Sequence, residues 1–297
     1  MADHFTFATG VVQSADVLRA VAQSDALNGK GAPNTTLMKW VLSEGKRYDF
    51  HLDWYVNKVD VRTTPSLEVC ALGPDGRVNV GSANGDRLER IEGASRYGVE
   101  RSLSFIGAHA YVVGMGRQVY RRDQPDIWTH VDQGALREPR KRSVVGFNAI
   151  AGRTENELYA VGFAGEIFGF DGRSWRSLDS PTNVILNAVI VRSDGSAFAC
   201  GQAGVLLNGR GDRWAQIEQD ETEEQFWDLA WFGTELYLAA DDGLVRMTSD
   251  GRFEAVDLPG DGVSNPRSVH SRDGVLLCVG TKSVSWTTDG RTWNELT

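Results

Sequence analysis

The sequence is short of cysteine, histidine, proline and positive charge, and each shortage excludes something. Three cysteines in 297 residues, Cys70, Cys200 and Cys278, are too few for a disulfide framework and lack the paired spacing of a zinc site. Cys200 and Cys278 lie in the apolar runs FACG and LLCVG, where a free cysteine behaves as a small core residue. That usage fits a cytoplasmic protein. The five histidines, His4, His51, His109, His130 and His270, show no i, i+2 or i, i+4 ligand spacing. His270 falls within an apolar strand run and is expected to be a satisfied core residue. The formal net charge is −9, which disfavours a nucleic-acid partner, since phosphate binding needs a basic footprint. It suits solubility and would steer a basic partner. No apolar run approaches the roughly 18 residues of a membrane span. The opening MADHFTFATG lacks the basic and then apolar segments of a secretory signal. There is no G-x-S-x-G elbow, no P-loop and no G-x-G-x-x-G after a strand, so neither a catalytic centre nor a cofactor is expected. Asp241-Asp242 supplies too few oxygens for calcium, which takes about six to eight.

What the chain has is glycine, 33 of them, and nine tryptophans, but only eight prolines. The stretch ELYAVGFAGEIFGFDGRSWRSL (157–178) shows the pattern: apolar strand, Gly162, short break, second strand, Asp171-Gly172, then a strand opened by Trp175. Asp-Gly between apolar runs is a hairpin signal, a type I′ turn needing positive φ at both central residues. The phrase repeats. A small residue closing the second strand falls at Gly73, Gly114, Gly162, Gly201, Ala240 and Gly280, at spacings of 41, 48, 39, 39 and 40 residues. A large residue opening the fourth strand falls at Leu88, Trp128, Trp175, Trp214, Phe253 and Trp293, at spacings of 40, 47, 39, 39 and 40. A period near 40 with several strands per unit marks a β-propeller of four-stranded blades. Tyr48 extends the series to a seventh blade, with FTFATGVV as an early strand. The expected fold is all-β, a single β-propeller domain over 1–297. Residues 51–297 form six regular blades and 1–50 an irregular first blade. Six blades is the alternative if residues 1–50 are an appendage. Residues 14–27, SADVLRAVAQSDAL, are expected as a short helical insertion capped by Ser14. How the first and last blades meet is left open.

In a propeller, the loops between strands two and three and between strand four and the next blade lie on one face. From the short loops that face collects Arg117, Phe163, Gln202, Asp241, Asp242 and Lys282. The single long gap places a basic insertion there, with Arg137, Arg140, Lys141 and Arg142, while EQDETEEQ, containing Glu223, is acidic. Such runs are either solvated loop charge or partner contacts. A polar residue recurs early in the inner strands, at Ser102, Asn148, Asn187, Asp228 and Ser268. It either caps loop backbone or lines a binding cavity. Trp227, beside Asp228, is either core or an interface anchor.

The phrases VGFAGEIFGFDGRSWRSL, CGQAGVLLNGRGDRW and SVSWTTDGRTW resemble the BNR (neuraminidase-repeat) and YVTN-type propellers, most closely the photosystem-assembly-factor-like propellers of bacteria. TTDGRTW (287–293) is similar to the Asp-box S-x-D-x-G-x-T-W, one residue short. The resemblance covers about residues 50–297 and implies a fold. The sialidase branch is enzymatic through an arginine triad and an R-I-P motif. The motif is missing here, so no catalytic residue carries over and the chain is not expected to be an enzyme. Two protein-binding roles remain, working through the loop face with no nucleic-acid or membrane partner. One is an immunity protein that masks a basic toxin or effector domain; the other is an assembly or adaptor factor. Small, acidic, single-domain chains favour the former by association. A lectin or a sialidase-like glycosidase is a weaker alternative.

Overall fold

The computed structural model describes residues 4–138, 144–219, 221–259 and 265–296. They form seven four-stranded sheets, each made of four consecutive strands. Blade 1 is β1 (Phe5–Ser14), β2 (Val17–Ser24), β3 (Thr35–Val41) and β4 (Lys46–Leu52). Blade 2 is β5 (Lys58–Arg62), β6 (Glu68–Leu72), β7 (Arg77–Ser82) and β8 (Gly85–Arg90). Blade 3 is β9 (Glu100–Ile106), β10 (His109–Gly114), β11 (Val119–Gln124) and β12 (Ile127–His130). Blade 4 is β13 (Phe147–Thr154), β14 (Glu157–Gly162), β15 (Ile167–Phe170) and β16 (Trp175–Leu178). Blade 5 is β17 (Leu186–Val191), β18 (Ala197–Gly201), β19 (Leu206–Arg210) and β20 (Arg213–Gln216). Blade 6 is β21 (Phe226–Phe232), β22 (Glu235–Ala240), β23 (Leu244–Met247) and β24 (Phe253–Val256). Blade 7 is β25 (Pro266–Arg272), β26 (Val275–Gly280), β27 (Val284–Thr287) and β28 (Asn294–Leu296). The fold is a seven-bladed β-propeller, and the six-blade alternative falls.

One expectation is corrected. Residues 17–24 are strand β2, and the only α-helix of this region is α1 (Asp25–Asn28), a single turn. The run VLRAVA carries apolar residues at both helical and alternating spacings, so its pattern alone does not decide. Pairing decides: β2 lies hydrogen-bonded between β1 and β3. Leu18, Ala20 and Ala22 then enter one core, while Val21 is buried on the opposite face.

The chain divides into two compact units, Met1–Leu67 with Trp227–Thr297, and Glu68–Phe226. In the first unit, blades 1 and 7 pack directly. Val12, Leu18, Met38 and Trp40 share a core with Leu277, Val279 and Val284. Phe7 N donates to Thr281 O at 2.9 Å, and Lys282 Nζ reaches Asp25 Oδ2 at 2.6 Å. Val12 N donates to His270 Nδ1 at 3.2 Å. Each of these blades therefore supplies all four of its own strands, and the junction is made by side-chain packing and cross-blade hydrogen bonds. Between blades 6 and 7, Tyr237 and Ala239 pack with Val269, Leu276 and Cys278.

In the second unit the second strands are buried on both faces. Leu158 and Ala160 of β14 pack with Ile106, Tyr111 and Val113 of blade 3. Tyr159 and Val161, on the other face, pack with Leu186, Val189 and Ala197 of blade 5. Each fully buried large side chain contributes about 1.5–3 kcal/mol. The cysteines follow the same rule: Cys70, Cys200 and Cys278 all sit buried in second strands, and burial pushes the Cys278 thiol up to about 12. Between blades 2 and 3 the contact is ionic as well. Arg122 binds Glu89 in bidentate fashion, Nε to Oε2 at 2.8 Å and Nη2 to Oε1 at 2.7 Å. Trp128 Nε1 also donates to Glu89 Oε2 at 3.0 Å.

The Asp171-Gly172 turn differs from the expected type, whereas Asp273-Gly274 between β25 and β26 has positive φ at both residues (50° and 75°). At Asp171-Gly172 only Gly172 has positive φ (89°). Asp171 acts through its side chain, whose Oδ1 accepts from Arg173 N and Ser174 N, each at 2.9 Å. Asp289 does the same with Arg291 N at 2.8 Å and Thr292 N at 2.7 Å, and these donors hold its carboxyl down to about 2. The Asp-box-like TTDGRTW is thus a turn device in this chain. Consecutive positive φ values occur also between the second and third strands, at Ala164 (54°) and Gly165 (70°), and at Ala203 (53°) and Gly204 (66°).

Two predictions follow from these contacts. Arg122→Met leaves Glu89 a buried charge without its cation and should cost about 3–5 kcal/mol in urea unfolding; Arg122→Met/Glu89→Met should recover most of it. The second concerns pH. Desolvation pushes His270 down to about 3, with Arg272 and Lys58 adding to the effect. Below about pH 6.5 the unfolded chain takes a proton that the folded chain refuses, so this group makes stability fall as pH drops from 6.5 toward 3. Glu100 acts oppositely: burial raises its carboxyl to about 7, so it makes stability fall as pH rises from about 4.5 to 7. Unfolding midpoints against pH should show His270→Gln flattening the first slope and Glu100→Gln the second.

Candidate functional site

The loop ends of the blades are built on one close approach. Gly162 N donates to Glu166 O at 3.1 Å, closing the turn after β14, and Phe163 N donates to Gly146 O at 3.2 Å, tying that turn to the start of its own inner strand. A Cβ on Gly162 would stand 1.9 Å from Gly146 O. Gly201 repeats this, its Cβ falling 2.1 Å from Ile185 O, with Gln202 N on that oxygen at 3.0 Å. The recurrent small residue is therefore there because backbone passes where a side chain would begin.

Just beyond, five inner strands are bulged. One extra residue is inserted opposite the end of the second strand: Arg101, Asn148 and Asn187 in the second unit, Ala8 and Arg267 in the first. A bulge frees a side chain from the ladder and re-aims it. Trp227 follows Phe226 as Asn148 follows Phe147. The polar residues expected as one recurrent position thus occupy two. Asn148 and Asn187 are bulge residues. Ser102, Asp228 and Ser268 come one step later.

Several of these side chains tie neighbouring blades together. Asn148 Nδ2 donates to Leu186 O at 2.9 Å, and Asn187 Nδ2 to Phe226 O at 2.7 Å. Asp228 Oδ2 accepts from Ser268 Oγ at 3.1 Å and Val269 N at 3.3 Å. Arg117, at φ 59°, pairs with Glu166 at 2.6 Å across blades 3 and 4, and its side chain is only 14% exposed. It also stacks 4.8 Å from the Phe168 ring centroid. Lys282 is exposed but bound to Asp25, Thr6 Oγ1 and Phe5 O. These residues are cross-blade clamps. Arg140 and Arg142 lie outside the described residues.

The remaining candidates are set out toward solvent. In the second unit Phe163 and Gln202 are half-buried and Glu223 is exposed. The acidic connection is ordered by Gln219, whose Nε2 donates to Thr222 O at 2.6 Å and Gly204 O at 3.1 Å. Glu218, Glu221 and Glu223 stand exposed around it. In the first unit Trp227 Nε1 donates to Asp241 Oδ1 at 2.7 Å, and Arg267 lies 4.0 Å over the Trp227 ring and 3.8 Å from Asp241. Asp242 is exposed beside them. No group of three or more His, Cys, Asp or Glu able to hold a metal occurs among the described residues. The sequence reading missed Arg101 and Arg267. It aligned on Ser102 and Ser268, and only the ladder register reveals the bulge one residue earlier.

No protein-family model matches the chain. It is 34% identical over 302 residues to the immune protein Tsi7 of Pseudomonas aeruginosa, covering 98% of this chain and 97% of that one. The chain belongs to the Tsi7 immune-protein family. Among solved structures, YCF48 from Cyanidioschyzon merolae superposes with TM-score 0.71 at 10% identity, covering 96% of both chains. The WD40 β-propeller domain of Doa1 superposes with TM-score 0.67 at 12% identity, covering 96% of this chain and 92% of that one. Such likeness shows the fold alone, and it bears out the propeller resemblance. The family's function therefore rests on Tsi7.

For this Tsi7 relative, the close approach at Gly162 makes a sharp prediction. Gly162→Ala should lower stability by about 3 kcal/mol, near the upper end for overpacking against backbone. The chemical-denaturation midpoint measures it. Ala240, which holds the corresponding place in blade 6, should accept glycine at a cost of no more than about 1 kcal/mol.

Proposed function

We propose that the protein is a non-enzymatic immunity protein that binds a protein toxin and blocks it sterically through the loop ends of its blades. The observation that carries this reading is the 34% identity to the immune protein Tsi7 over 98% of the chain. Geometry supports the placement at the loop ends. The repeated residues there, Gly162, Gly201, Asn148 and Asn187, serve the scaffold, whereas Phe163, Gln202, Glu223, Trp227, Asp241 and Asp242 differ from blade to blade and reach solvent. Sites that vary over a rigid repeat are where a specific partner is read. The net charge of −9 supports a basic toxin, which the field would draw in and orient. Three cysteines lodged in separate blades support a reducing compartment, the cytoplasm. No helix among the described residues is long and apolar enough to cross a membrane.

The test pairs this chain with the toxin encoded beside its gene. Cells making the toxin alone should stop growing, and co-expression of this chain should restore growth. The two purified proteins should co-elute, with a Kd that weakens at least about tenfold when salt is raised from low to high ionic strength. Undiminished toxicity with no complex would remove the reading. A complex indifferent to salt would remove only the basic partner.

A further inference from the structure

Blade 3 treats one of its arginines differently from the others. Arg117 pairs with Glu166, Arg121 with Asp123 at 2.6 Å, and Arg122 with Glu89. Arg101, the bulge residue of β9, has no carboxylate within ion-pair distance among the described residues. Its contact is aromatic: the guanidinium lies 5.5 Å from the Phe163 ring centroid. One side of the side chain is exposed, while burial of the remainder lowers its pKa with no anion opposing the shift.

Two apolar side chains in the neighbouring segments are open to solvent. Val99 and Val144 are 44% and 63% exposed, unusual for large apolar side chains. The turn Met115-Gly116 holds both segments: Met115 N donates to Val99 O at 3.0 Å and Gly116 N to Val145 O at 2.9 Å. Gly146 completes the chain of contacts, since its carbonyl accepts from Phe163 N at 3.2 Å. An arginine over an aromatic ring, with exposed valines in the segments tied to the same turn, has features of an interface anchor.

We infer that Arg101, seated on the Phe163 ring, receives an aspartate or glutamate side chain of the protein toxin. The inference rests on the immunity reading above and specifies where that partner is gripped. A half-desolvated cation with no counter-ion gains more from an incoming carboxylate than one already paired. The ring contact restricts the guanidinium, so less side-chain freedom is lost on docking. A phosphate backbone would satisfy the same guanidinium. However, the same unit carries Glu218, Glu221 and Glu223 exposed in its acidic connection, and the valine rim suits a protein surface. An arginine set at a bulge, without a carboxylate of its own among the described residues, also fixes orientation. A basic toxin drawn in by the general field must present one of its acidic residues here to seat fully.

The experiment measures affinity of the purified toxin for wild type, Arg101→Lys, Arg101→Gln, Arg101→Glu and Phe163→Leu, with each variant's unfolding midpoint as a folding control. Arg101→Gln should weaken binding about 30-fold or more with the midpoint unchanged. Arg101→Lys should fall between it and wild type, because an ammonium cannot grip a carboxylate in bidentate fashion. Phe163→Leu should weaken binding several-fold. Arg101→Glu should abolish the complex, and one acidic-to-lysine change on the toxin should restore it. Wild-type-like affinity of Arg101→Gln, or no reversal that rescues Arg101→Glu, overturns the inference while leaving the immunity reading intact. Arg101-dependent binding of a duplex DNA oligonucleotide also overturns it. A wild-type chain that does not bind the toxin removes both.

Discussion

The blades depend on covering one another's apolar faces. A four-stranded sheet whose second strand reads LYAV or LLCV has two apolar faces, and neither can be left to water. In blade 4, Leu158 and Ala160 are buried against blade 3 and Tyr159 and Val161 against blade 5. A single blade could bury neither face alone, so stability is a property of neighbours. The polar contacts obey the same rule. Asn148, Asn187, Asp228, Arg117 and Arg122 all reach across to an adjacent blade. Where the first and last blades meet, His270 and Lys282 do the equivalent work.

That demand consumes much of the chemistry the sequence displays. The Asp171 and Asp289 carboxylates are occupied with turn amides, Arg122 and Glu89 with each other, and His270 with a backbone N–H in its neutral form. Groups engaged this way serve the scaffold. What remains for recognition is the set of side chains released from the repeat: bulge residues, turn tips and the connections between blades.

The bulge recurs from blade to blade while the residue on it changes. The scaffold needs the glycine that lets the loop carbonyl approach the second strand, and the extra residue beside it is pushed out of the ladder. In two blades that residue is an asparagine used to hold the next blade. In two others it is an arginine stacked on an aromatic ring, Arg101 on Phe163 and Arg267 on Trp227. The same backbone device therefore carries a blade-to-blade clamp in some copies and an arginine over an aromatic ring in others.

The amino-acid sequence by itself determined the repeat, the strand count per blade and the burial of the cysteines. Those properties follow from local spacing, with apolar alternation, turn residues and a period near 40 all written within a few dozen residues. It also marked the acidic connection and Trp227 as departures from the pattern. Tertiary structure decided what spacing leaves ambiguous. VLRAVA became strand β2 because β1 and β3 offer it ladders on both sides. Asp171 became a side-chain acceptor because its turn has four residues rather than two. Arg117 and Lys282 became clamps because their carboxylates, Glu166 and Asp25, lie on other blades. Arg101 emerged because a bulge is a difference in register between two strands, and register exists only once the strands have paired.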